Sequence, residues 1–229
     1  FHPQIFSATA EAEQLPVVFA GYGIRAPKLN WIDYSPADVN GKIVLMVDGE
    51  PGADDPASPF DGVVSSEYSN ALRKTLEVQQ HGAAGVLFVS RGSGGARDPF
   101  PAASRSIWPD TPPHLERYTL AAYANRIRIP VAQISPALAS QIVGSHSVSD
   151  RAAQKPVFAN VTVSLRIALR REIVEDRSIV ARIEGSDAAL KDEAVIISGH
   201  YDHNGATAEQ LFAGADDNGP PLRRRRQVG

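Results

Sequence analysis

Ile43-Val44-Leu45-Met46-Val47 and Val86-Leu87-Phe88-Val89 are short, wholly apolar runs rich in β-branched residues. Runs of this length without polar alternation read as strands buried on both faces. Between them, Glu67 to Gln80 reads as a helix. Ser65 or Ser66 stands where a cap is needed, Leu72, Leu76 and Val78 form a partial apolar stripe, and His81-Gly82 closes it. Strand 43–47, helix 67–81 and strand 86–89 make one β-α-β unit, for which a right-handed crossover is expected. The fold class is therefore α/β.

Outward from that unit, Pro16 to Ile24 reads as an apolar strand broken by Gly21 and Gly23. Residues 48–62 are dense in Pro, Gly and Asp and read as a loop, as do residues 90–117. Ile127 to Ile134 is predicted as a short strand interrupted by Pro130, and Ser135-Pro136-Ala137 opens a short helix to about Val143. Lys155-Pro156 reads as a boundary. Beyond it, Ala159–Ile167 alternates like a half-exposed strand and Ser178–Ile183 like a second, the two expected to pair antiparallel through a turn at Glu172–Asp176. Ala194–Gly199 reads as an apolar strand that delivers His200 at its end.

The 229 residues suffice for one large domain or two small ones. A net charge of -3 gives no global attraction to nucleic acid, and the lone run Arg223–Arg226 is weak evidence for it. No apolar run approaches the roughly 20 residues of a membrane span. There is no cysteine, so disulfides, thiol nucleophiles and thiolate-bound metals are excluded, leaving His, Asp and Glu as ligands.

Such residues gather in Gly199-His200-Tyr201-Asp202-His203 and Gly214-Ala215-Asp216-Asp217-Asn218. This is donor chemistry for zinc. One assignment makes His200 a ligand and Asp202 the acceptor for its other ring N–H, which fixes the tautomer. An aspartate from the second run can fold back and bridge two ions roughly 3.5–4 Å apart. His203 reads as a pocket wall, a surface residue or a ligand, with the wall favoured. His2, His81, His114 and His146 read as solvent-facing, and Tyr22 and Trp31 as packing residues rather than a substrate groove. Gly92-Ser93-Gly94-Gly95 lacks the lysine and spacing of a phosphate loop.

These two runs resemble the first metal motifs of the co-catalytic di-zinc aminopeptidases of clan MH, grouped with glutamate carboxypeptidase and the transferrin-receptor ectodomain. Glu184-Gly185-Ser186-Asp187 and Lys191-Asp192-Glu193 resemble that family's approach to the first ligand. Phe19–Ile24, Val39–Val44 and Gly82–Val86 resemble pieces of its inserted protease-associated domain. The resemblance implies a β-rich protease-associated domain with a few helices at 17–150, preceded by a peptidase-domain remnant at 1–16. It further implies the first strands of an α/β zinc-exopeptidase domain at 156–219, incomplete, and an aberrant Arg-rich tail at 220–229. It implies two zinc ions, with His200 as a terminal ligand, Asp217 as the bridge, Asp202 as the orienting catalytic partner and Asp216 in support. The activity implied is exopeptidase hydrolysis of peptides by zinc-activated water. Separately, the compartment expected is extracytoplasmic, either periplasmic or secreted. The family's later Glu-Glu pair, Asp and His are not found after Asp217, so this chain alone is expected to be inactive. The alternative is a non-catalytic protease-associated binding module with vestigial metal residues.

Overall fold

The computed structural model describes residues 1–53, 55–62, 64–90, 119–144 and 155–199. They belong to two units, one running through Arg171 and the other beginning at Glu172.

The first unit is built on a six-stranded sheet in the order β1-β7-β6-β5-β2-β8. Its strands are β1 (His2–Pro3), β2 (Ala10–Phe19), β5 (Ile43–Val47), β6 (Gly85–Val89), β7 (Val131–Ile134) and β8 (Val157–Ile167). A two-stranded ribbon, β3 (Arg25–Ala26) with β4 (Trp31–Ile32), stands apart from it. β2, β5, β6 and β7 run parallel, while β1 and β8 close the edges antiparallel. The β-α-β unit is as the sequence predicts, with all five residues of β5 buried. Alternate side chains enter two cores: Ile43, Leu45 and Val47 face one, Val44 and Met46 the other. Covering on both faces is why this strand shows no polar alternation.

The helix between them begins later than its serines suggest. Ser66 caps a single 3-10 turn at Glu67–Ser69, and Asn70 then caps α2 (Ala71–Gln80), its side chain accepting from the Arg73 N–H. The short helices α1 (Pro36–Val39) and α3 (Ala121–Ala124) are one turn each. The last helix, α4 (Pro136–Val143), has the predicted bounds. Ser135 caps its start, Pro136 takes the first turn where no N–H is needed, and Gly144 ends it at φ 67°. Two strand expectations are corrected at their ends. β2 starts at Ala10 rather than Pro16, and β7 starts after Pro130, which cannot donate to a ladder.

A larger correction concerns the partner of β8. It pairs with β2 from Ala10↔Ile167 to Phe19↔Val157 and not with Ser178–Ile183. The long N-terminal strand already offers a complementary edge, so the sheet continues past Lys155-Pro156 without a break. Arg171 still belongs to this unit: its guanidinium donates to the Ser7 carbonyl at 2.7 Å and to Asn125 Oδ1 at 3.1 Å.

In the second unit, residues 172–199 contain one 3-10 turn, Ala188–Leu190, capped by Asp187. The strands expected at 178–183 and 194–199 are not formed. Ile183 is 97% exposed and Val195 93%. A β-rich segment becomes a strand only when a neighbouring ladder takes its N–H and C=O groups, and none is paired with these residues.

Candidate functional site

His200, Asp202, His203, Asp216 and Asp217 lie outside the described residues, as do His114, His146, Gly92–Gly95 and the arginine run. Among the described residues no group of three His, Asp or Glu side chains is placed to hold a metal. The approach to His200 is exposed chain through Gly199. By donor chemistry the set fits zinc: imidazole nitrogens and carboxylates, with no thiolate in the chain.

What the structure does assemble is a polar cleft at the C-terminal ends of β5 and β6, the edge where open α/β sheets receive ligands. It has a volume of about 350 Å³ and is lined by Asp48, Gly49, Glu50, Ala53, Ser65, Ser69 and Ser90. Its floor is held by groups whose importance the sequence does not reveal. Glu50, 1% exposed, accepts from the Ser66 N–H at 2.8 Å and from the Ser66 hydroxyl, tying the loop after β5 to the entry of α2.

Beneath it lies Lys74, 2% exposed. Its ammonium donates to the carbonyls of Tyr22 (3.0 Å), Val47 (3.1 Å) and Gly49 (2.6 Å), using all three N–H groups. Burial pushes its pKa down to about 8, while Asp48, Asp33 and Glu50 oppose the shift. The buried face of α2 is Lys74, Thr75 and Val78, whereas Leu72 and Leu76 are only half buried. The register was the available signal: Lys74 sits four residues before Val78, on the same helix face.

Asp33 is a third buried ionisable group, after Glu50 and Lys74. Its carboxylate accepts from the Ile24 N–H at 2.9 Å and from the Trp31 indole at 2.8 Å, closing the ribbon. Burial pushes its pKa up to about 6, against the pull of those hydrogen bonds and of Lys74. The folded chain therefore binds this proton more tightly than the unfolded one. The stabilisation is fully present below the ordinary value of 3.8 and is lost as pH rises through about 6. Comparing denaturant unfolding of the protein and its Asp33→Asn variant at pH 7.5 and 4.5 should show wild type gaining up to about 2 kcal/mol relative to the variant at the lower pH.

Tyr22 and Trp31 are packing residues, as expected. Tyr22 is buried, and Trp31 meets Phe60 edge-on with ring centroids 5.3 Å apart. His81 is corrected. It is half buried at the end of α2, 2.8 Å from the Arg25 guanidinium through Nε2. His2 is likewise half buried, in the edge strand β1.

No helix among the described residues is long and apolar enough to cross a membrane. The PA domain family model matches residues 11–142, beside the 17–150 expected from the sequence. The model of peptidase family M28 matches residues 178–222, a span that contains all five candidate metal-site residues. No curated protein matches the chain. The PA match covers more than half the chain, and the protein belongs to the PA-domain family, with a C-terminal segment of the M28 peptidase family fused behind that domain.

Proposed function

We propose that the chain carries the PA domain and the first metal-ligand segment of a metallo-exopeptidase acting on peptides. The observation that carries this reading is the M28 match across residues 178–222. In it, His200 and Asp217 hold zinc, and Asp202 accepts the outer N–H of His200 and keeps its ring oriented. Asp216 supports Asp217, and His203 lines the pocket. Bound zinc supplies acidified water and polarises a scissile carbonyl. The compartment proposed is extracytoplasmic, and fractionation of the native host would check it.

The residues after Asp217 include no glutamate to serve as general base. A polypeptide of these 229 residues is therefore expected to bind zinc weakly, since zinc sites usually take three or four protein ligands. It should not turn over aminoacyl-nitroanilides. Zinc calorimetry on the chain and on His200→Ala and Asp217→Ala tests the ligand assignment: both substitutions should remove measurable binding. Unchanged zinc binding in both variants would sink the ligand assignment, and turnover at the level of an intact M28 peptidase would sink the expectation that this polypeptide is inactive alone.

The second reading is a non-catalytic binding module. It is favoured by the position of the polar cleft, whose described lining residues all lie within the PA domain.

A further inference from the structure

Asn40-Gly41 forms the turn between α1 and β5, and both residues are exposed. Asparagine followed by glycine is the dipeptide most open to self-modification, because glycine has no Cβ to shield its main-chain nitrogen. That nitrogen loses its proton and attacks the asparagine Cγ, forming a new C–N bond as ammonia leaves. Water then opens the succinimide ring to aspartate or isoaspartate. The reaction therefore needs a glycine N–H that is not held elsewhere. In the fold it is held. The Gly41 N–H donates to the Gly82 carbonyl at 2.8 Å, and the Ala84 N–H donates to the Lys42 carbonyl at 2.9 Å. These two bonds lace residues 41–42 to 82–84 and lead into the parallel ladder that begins at Ile43↔Gly85. The Asn40 carboxamide packs on the same partner, since a Cβ at Gly82 (φ 86°) would stand 2.2 Å from Asn40 Oδ1. Lys42 works the other way. Its ammonium donates to the Asn40 carbonyl at 3.3 Å, which favours negative charge on that peptide unit and eases loss of the Gly41 proton. The hold on the Gly41 N–H acts against that pull.

We infer that Asn40 is a deamidation site held shut by the Gly41–Gly82 hydrogen bond, reacting only in molecules whose residues 40–42 have come away from 82–84. Openings of this kind are local and precede global unfolding. The chemistry makes them lasting. The succinimide nitrogen carries no hydrogen, so the Gly82 carbonyl loses its donor. Isoaspartate restores an N–H but adds a methylene to the main chain three residues before β5, so that N–H no longer meets Gly82. Aspartate alone restores the original main chain. Wherever isoaspartate forms, a transient separation of the two segments becomes a permanent fault at the start of the central β5–β6 ladder.

The test is tryptic peptide mapping by mass spectrometry on the full chain held at pH 8, folded and in denaturing urea, with Gly41 amide exchange followed by NMR. Cleavage after Lys28 and Lys42 places Asn40 in the single peptide 29–42, where fragment ions separate it from Asn30. Conversion of Asn40 is expected to be about tenfold or more slower in the folded chain, the factor that one net hydrogen bond supplies. Urea below the unfolding transition should raise conversion and Gly41 exchange in proportion. Gly82→Ala, whose methyl displaces the Asn40 carboxamide, should bring the folded rate toward the rate in denaturing urea. The inference is overturned if folded and unfolded chains convert Asn40 at one rate, if Gly41 exchanges as an unprotected amide while Asn40 stays intact, or if urea raises exchange without raising conversion. Those three readings need only the wild-type chain, so the outcome stands whether or not the variant folds.

Discussion

Lys74→Met is expected to destabilise the PA domain by about 3–5 kcal/mol, the cost typical of breaking a buried charged network by removing one partner. Methionine keeps the apolar stem and approximate length, so little cavity forms. What disappears is the ammonium shared by the Tyr22, Val47 and Gly49 carbonyls. Those acceptors then lie among Asp33, Asp48 and Glu50 without the ammonium. Each unsatisfied buried acceptor costs about 1–3 kcal/mol. Because Gly49 and Glu50 also line the cleft, the substitution should raise exchange at residues 48–53 before global unfolding. The alkaline side gives an independent check. With a folded value near 8 against an ordinary 10.5, the unfolded chain holds more protons between those limits, so wild type gains stability as pH rises. The methionine variant lacks that gain, and the gap between the two proteins widens. Urea unfolding at pH 7 and 9.5 measures both effects. A loss below about 1 kcal/mol at pH 7 would mean the carbonyls find water instead.

Gly23→Ala is expected to cost about 2–4 kcal/mol, combining backbone strain with overpacking. Gly23 sits at φ 68° in the turn after β2, where its N–H donates to the Ala20 carbonyl at 2.7 Å. A Cβ there would overlap Met46 Sδ and come within 2.7 Å of its Cγ. Met46 is fully buried on the central strand β5, so its thioether cannot swing into solvent. Met46→Ala should relieve the overlap but not the strain, making the double variant more stable than the sum of the single losses predicts. Denaturant unfolding of the four proteins gives the coupling directly. Strict additivity would show that the turn and not the packing is at fault.

The parts of the fold that were legible share a cause. β5, β6 and α4 announce themselves through local composition and end signals, which depend on few residues. β8 was legible as a strand, but its partner was not. Its alternation suits any edge, and the choice of β2 over Ser178–Ile183 is a pairing across some 150 residues of chain. The runs 178–183 and 194–199 illustrate the converse. Their β propensity is plain in the sequence, yet propensity supplies no hydrogen-bond partner.

The sequence by itself determined the β-α-β core, for which residue type and local spacing are sufficient, and its motif resemblances gave the order of the PA and M28 segments. Only the tertiary structure decided that Lys74 lies beneath a cleft with three carbonyls on its ammonium, and that His81 bonds Arg25 instead of facing water. A charged side chain reads as a surface residue in sequence because burial is costly. Whether that cost is met depends on carbonyls and carboxylates brought together from distant elements, and the fold alone determines where those are.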